Sequence, residues 1–193
     1  MAKAKVSIIG DGNVGSALHK GLTRAGYETK MVGKDPAKVK ELGKWADVIV
    51  LAVPYGERAN VVEELGDVSG KVLADVTNAF GPGGGFAHDL KRSGAEDLQA
   101  MAQGAKVVKA FNTIFAQNMA EGTLKGEKLS LFVAGDAKDA KERVLEMGRA
   151  IGFDGVDAGP LENARWLEAF GFFNVVLGFG QKMGSGIGFK LVR

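Results

Sequence analysis

The chain has 193 residues, with 25 Lys and Arg against 23 Asp and Glu, a formal net charge of +2 at pH 7, and no cysteine. Nearly balanced, interleaved charge gives no electrostatic footprint for nucleic acid or an anionic membrane surface. The lack of cysteine excludes disulfides, thiolate catalysis, iron–sulfur ligation and cysteine-bound zinc, while the length, with 46% apolar and 25% charged residues, suits one soluble domain with a substantial core.

The first apolar run, Lys5-Val-Ser-Ile-Ile9, leads into Gly10-Asp11-Gly12-Asn13-Val14-Gly15. A strand over 5–10 that opens through G-x-G-x-x-G into a helix over 14–25 is the dinucleotide-binding arrangement. Gly10 permits the tight turn, Gly12 lets backbone approach a pyrophosphate, and Gly15 lets the helix sit close on the strand. The helix N-terminus, with its unpaired N–H groups, receives the phosphate charge. Gly10 also interrupts the apolar run too early for a secretory signal, so a cytoplasmic protein is expected. His19, inside this helix, reads as a surface group rather than a ligand.

A strand over 28–32 is followed by Met31-Val32-Gly33-Lys34-Asp35-Pro36. An NAD site wants an acid at this strand end, and an NADP site wants a cation with small donors around the 2′-phosphate. Lys34 beside the Gly33 amide favours NADP(H). Asp35, twenty residues past Gly15, keeps NAD(H) open, although Asp35-Pro36 also reads as the N-cap and first turn of a helix over 36–43.

The continuous apolar run over 47–53 is strand-sized, too short to span a membrane. Val53, Pro54 and Tyr55 end it, and a helix over 57–65 follows. The next strand, 71–76, runs into Thr77 and Asn78, then into the glycine-rich Gly81–Phe86, either a lid or a plain connection. A helix over 89–103 and a strand over 105–110 lead to Phe111, Asn112, Thr113 and Ile114. The small polar residues at these strand ends suit a neutral ring that carries a carboxamide, and they equally suit turns. Beyond them the pattern gives a helix over 115–121, a strand over 129–134, a helix over 137–151, a strand over 154–158 and a long helix over 162–181 with a short tail.

Apolar strands alternating with helices predict an α/β fold, a doubly wound Rossmann-type parallel sheet. Residues 1–160 form the nucleotide-binding unit of a single domain, and 161–193 supply a C-terminal helix and tail. In this fold ligands bind beyond the carboxyl ends of the strands. The candidate cofactor-binding residues are thus Gly10, Asp11, Gly12, Asn13, Val14, Gly15, Gly33, Lys34, Val53, Pro54, Tyr55, Thr77, Asn78, Asn112, Thr113 and Ile114. No constellation nominates a catalytic acid, base or metal site. Only about thirty-five residues follow the last strand, so the ring end of the site is expected to be open, or closed by a second subunit or second ligand. Trp166, Phe170, Phe172, Phe173, Leu177 and Phe179 cover more than one face of the final helix. Such a helix is buried on several sides, in a two-fold homodimer interface or deep within a monomer.

Taken together, Ile8–Gly15, Leu51-Ala-Val-Pro54, Val107-Val-Lys-Ala-Phe-Asn-Thr-Ile114 and Asp157-Ala-Gly-Pro-Leu-Glu-Asn-Ala-Arg165 resemble the NADP oxidoreductases that use the deazaflavin coenzyme F420. The nucleotide domain of the STEAP metalloreductases, which passes electrons from NADPH to flavin, looks similar as well. The resemblance implies a homodimer, NADP(H) on the glycine loop, and direct hydride transfer between stacked cofactors. By position, Gly33 and Lys34 match that family's 2′-phosphate contacts, and Pro54, Asn112, Thr113 and Ile114 match residues around its nicotinamide. The chain departs from the family pattern at Gly33-Lys34, where Ser-Arg is common, at Asn112 and Phe115, where some members have His and Pro, and at Ala79, where proline is common. Three readings follow: hydride transfer between NADP(H) and F420, the same chemistry with FMN or FAD and with free flavin or ferric iron downstream, and a non-catalytic NADPH-sensing dimer.

Overall fold

The computed structural model describes residues 3–87 and 89–193, so His88 lies outside the described residues. In chain order the elements are β1 (Val6–Ile9), α1 (Asn13–Arg24), β2 (Thr29–Val32), α2 (Pro36–Trp45), β3 (Val48–Leu51), α3 (Arg58–Leu65), β4 (Val72–Asp75), α4 (Gly94–Met101), β5 (Lys106–Lys109), α5 (Ala116–Met119), β6 (Thr123–Leu124), β7 (Glu127–Lys128), β8 (Ser130–Gly135), α6 (Lys138–Ile151), β9 (Asp154–Asp157) and α7 (Ala164–Val175).

Seven strands form one sheet in the order β2-β1-β3-β4-β5-β8-β9. From β1 the chain steps outward to β2 and then crosses back to β3 on the other side, so the order reverses between β1 and β3. The crevice for ligands opens at the carboxyl ends flanking such a reversal. The central strands β1, β3 and β4 are buried on both faces, and their alternate side chains feed two cores. Val6, Ile8, Val48, Val50, Val72 and Ala74 pack with Leu18 and Leu22 of α1 and Val144 and Met147 of α6. Ile9, Ile49, Leu51 and Leu73 point the other way, against Val39 and Leu42 of α2, Leu65 of α3 and Leu98 of α4.

The expected Rossmann-type sheet is present and mostly parallel, with one departure. The sheet is not parallel throughout: β8 pairs with β5 antiparallel, with Lys109 opposite Ala134, and β9 then pairs parallel to β8. A parallel return needs a crossover of a dozen or more residues, usually helical. Here α5 has four residues, and the β6–β7 hairpin turns at Lys125 and Gly126, both at positive φ. The chain thus re-enters the sheet from the carboxyl end of β5, the end it had just left.

Several helices are shorter than their patterns suggested. α4 starts at Gly94, not near 89, because Ser93 and Glu96 close a reciprocal capping box there. The final helix is a 3-10 turn over Leu161–Asn163, then α7, then a wide turn over Val176–Gly180. The glycine-rich segment closes on itself through a bridge between Phe80 and Phe86, and both rings lie against Phe172 of α7. The tail docks beside β8, where Ser130 N donates to the Phe189 carbonyl at 2.9 Å and the Phe170 and Phe189 rings are 4.3 Å apart.

Candidate dinucleotide site

The glycine loop has the geometry its spacing predicts. Gly10 sits at φ +113°, and a methyl group built on it would fall 2.2 Å from the Ala52 carbonyl of the neighbouring strand end. A methyl group on Gly15 would fall 1.9 Å from the Gly10 carbonyl. These two glycines are demanded by the fold itself. Gly12 differs, because a methyl group there would meet nothing within 4 Å. It faces the open space that a pyrophosphate would take. Gly12 is also the N-cap of α1 and makes no side-chain cap, which leaves the first N–H groups of that helix for an anion. The residues present therefore fit a dinucleotide.

From this loop a groove runs in two directions. Towards β2 lies a cleft of about 400 Å³ with apolar walls from Ile9, Val39, Val61 and Pro36 and with Asp11, Gly33 and Lys34 at its mouth. Its shape and lining suit an adenosine. Lys34 stands at this end as the sequence suggested. Asp35 does not, because its Oδ1 accepts from Lys38 N at 3.2 Å and its Oδ2 pairs with Lys38 Nζ at 3.2 Å. These contacts hold its carboxyl below the usual range, the Lys38 backbone bond most of all. It caps α2.

Towards β4 lies a second hollow of about 230 Å³, lined by Val14, Ala52, Val53, Pro54, Tyr55, Val76, Thr77, Asn78 and Phe80. Ala52, Val53 and Pro54 also line the first cleft, so the two hollows share one wall. Val53, Pro54, Tyr55, Thr77 and Asn78 are thereby brought together as expected. Asn112, Thr113 and Ile114 do not line this hollow. Asn112 is buried, its Nδ2 donating to the Leu167 carbonyl at 2.7 Å and to Asn78 Oδ1 at 3.1 Å, while Asn78 Nδ2 returns a bond to the Asn112 carbonyl at 3.0 Å. The Thr113 carbonyl accepts from Asn174 Nδ2 at 3.1 Å, and Ile114 packs in the core. Asn112 and Thr113 thereby clamp α7 onto the strand ends. The backbone bends sharply for it, since Phe111 just before them lies at φ +62°, a conformation that costs a bulky residue energy.

A buried charge cluster underpins the same region, and the sequence reading missed it. Lys109 Nζ lies 3.1 Å from Asp75 Oδ2 and 3.1 Å from Glu168 Oε1, with all three side chains fully buried. Arg58 Nη1 approaches Asp75 at 3.6 Å and donates to the Gly94 carbonyl at 2.7 Å, and its guanidinium stacks 3.7 Å from the Tyr55 ring centre. Glu168 accepts from Gly94 N and Ala95 N at the start of α4. Burial alone would raise the Asp75 carboxyl, but Lys109, Arg58 and the Thr77 donors outweigh it and hold the group below the usual carboxylate range. Two cations and two anions thus cancel inside the protein and tie Tyr55 and Thr77, which line the second hollow, to α4 and α7. The available signal was an acid and a base at matching places in two apolar strands, since Asp75 and Lys109 are register partners.

A third hollow, about 580 Å³, lies on the other flank of α1. Asn13, Ser16 and Lys20 line it with Phe115, Gln117, Phe179 and Ser185. Among the described residues no group of three or more His, Asp or Glu is placed to hold a metal ion. No helix among them is long and apolar enough to cross a membrane.

Residues 5–79 match the family model described as NADP oxidoreductase, coenzyme F420-dependent. Metalloreductase STEAP3 of Rattus norvegicus is 30% identical over 178 residues, which cover 86% of this chain and 36% of that protein. The chain spans about a third of the length of the curated relatives it matches. Among solved structures, a candidate F420-dependent NADP reductase from Arthrobacter sp. FB24 superposes with a TM-score of 0.88 at 24% identity, covering 98% of this chain and all of that one. The hypothetical protein SMa0349 from Sinorhizobium meliloti is 32% identical, with a TM-score of 0.72 over 85% of this chain and 88% of that one.

Proposed function

We propose that this chain, whose residues 5–79 match the family model of F420-dependent NADP oxidoreductases, passes hydride between NADP(H) and a deazaflavin coenzyme of the F420 type. The observation that carries the reading is the continuous groove, with adenosine-sized and ring-sized hollows joined at Ala52, Val53 and Pro54 beside the glycine loop. The bound cofactor pair would supply the redox chemistry. The protein's own part is to bind and orient. Gly12 and the start of α1 hold a pyrophosphate, Val14, Val53, Pro54 and Val76 give an apolar seat for a planar ring, and Thr77 and Asn78 border that seat. Alignment of this kind contributes several kcal/mol to a transfer between two rings.

The hollow beside α1 supports a place for the second ligand. Its Lys20, Ser16, Asn13 and Gln117 suit the anionic tail of a ring coenzyme, and Phe115 and Phe179 stand edge to face at 5.6 Å beside them. The partners in this reading are small molecules, with a second copy of the chain docked on α7, where Trp166 and Phe173 stay 61% and 51% exposed. A helix this apolar on its outer side suits a two-fold contact.

A flavin as second ligand is the competing reading, favoured by the likeness to STEAP3, which spans more of the chain than the family model does. Stopped-flow oxidation of NADPH against F420, FMN and FAD side by side tests both. Fastest turnover with F420 supports the proposal, and faster turnover with FMN or FAD replaces it with the flavin reading. Rates no greater than buffer with all three remove both and leave a nucleotide-sensing protein.

A further inference from the structure

The sequence places no acid at the end of β2, yet the fold brings one there. A methyl group built on Gly33 would lie 2.4 Å from Asp11 Oδ2 and 2.9 Å from Oδ1, so the Asp11 carboxylate rests directly on that glycine. This is the point at which the fold reads the ribose 2′ position. Asp35, the acid nearest in sequence, is committed to capping α2. The ionisable side chains lining the adenosine cleft are three acids, Asp11, Glu57 and Glu64, against one base, Lys34.

A 2′-phosphate would bring nearly two further negative charges into that lining, and like charges a few ångström apart oppose one another even beside solvent. A carboxylate, in contrast, accepts hydrogen bonds from free ribose hydroxyls. We infer that Asp11, seated on Gly33, is the residue that sets nucleotide preference: it accepts from the ribose and offsets Lys34, so that the chain takes NAD(H) as well as NADP(H). The inference rests on the dinucleotide reading of the groove and refines it. Lys34 draws the phosphorylated nucleotide in, Asp11 works against it, and Gly33 makes the arrangement possible, because a side chain there would displace the carboxylate.

The experiment is calorimetric titration of the full chain and of Asp11→Asn with NADPH, NADH and the fragments 2′,5′-ADP and 5′-AMP. Asp11 is exposed, and a matched thermal melt confirms that the variant folds alike. Wild-type affinities for NADPH and NADH within about tenfold of each other are expected, with Asp11→Asn raising the NADPH-to-NADH preference about tenfold or more, and the fragments following the same trend. A wild-type preference for NADPH above about a hundredfold, or a change in ratio below about twofold in the variant, overturns the inference while leaving the groove's function intact. Failure of the wild type to bind any of the four overturns the dinucleotide reading itself, and this inference with it.

Discussion

The ammonium of Lys109 meets the carboxylate of Glu168 at 3.1 Å, with neither side chain exposed, and so fastens α7 to the centre of the sheet. Removing one member of a buried pair strands the other charge without solvent. Lys109→Met is expected to destabilise the fold by about 3 to 5 kcal/mol, measured by urea denaturation. A loss below about 1 kcal/mol, the value of a surface pair, would show that the cluster does not hold α7.

The glycines of the first loop separate folding from binding. Gly15→Ala is expected to lose about 2 kcal/mol or more in stability, since its methyl group has no space. Gly12→Ala is expected to fold within about 0.5 kcal/mol of the parent and to bind dinucleotide poorly, because the methyl group occupies only the approach of the pyrophosphate. Denaturation curves and nucleotide titrations on both variants check this. Normal binding by Gly12→Ala would place the pyrophosphate elsewhere.

Lys34→Ala is expected to weaken NADPH about tenfold and to leave NADH nearly unchanged, measured by fluorescence titration. Unchanged NADPH affinity would remove Lys34 from the 2′-phosphate site.

Glu96 is held to a pKa of about 2, chiefly by the Arg165 side-chain bonds at 2.8 and 3.0 Å. Because the folded-state value is depressed, the stability it contributes is present above the unfolded value near 4.5 and is lost as the pH falls from there towards 2. The pair is partly exposed, with side-chain exposures of 21% for Glu96 and 27% for Arg165, so about 1 kcal/mol is expected. Glu96→Gln is therefore less stable than the parent at pH 7, and the gap narrows between pH 4.5 and 2. A gap of constant size across that range would show that the ion pair contributes nothing.

Trp166→Glu combined with Phe173→Glu is expected to give a monomer where the parent runs at twice the chain mass, measured by light scattering after gel filtration. A monomeric parent would remove the two-fold contact on α7.

The core of the fold was legible because its signals are local. The glycine loop is a run of six residues, the central strands are unbroken apolar runs, and Asp35-Pro36 states the start of α2 outright. What escaped detection is relational. Leu131, Phe132 and Val133 read the same whichever way the strand runs, so the antiparallel β8 could not be told from a parallel one. Asn112 reads as a polar group at a ligand end, and only the position of α7 shows that the helix claims it. Asp11 and Gly33 are far apart in sequence, and their contact exists only once β1 and β2 lie side by side.

The backbone of α7 passes so close to the asparagine pair that a methyl group on Gly171 would lie 2.5 Å from Asn78 Oδ1 and 2.7 Å from Asn112 Nδ2. A helix seated at that distance has no slack in which to slide or roll. The ring end of the groove is therefore finished before any visitor arrives, and the entropy of arranging it is met during folding, not at the moment of association.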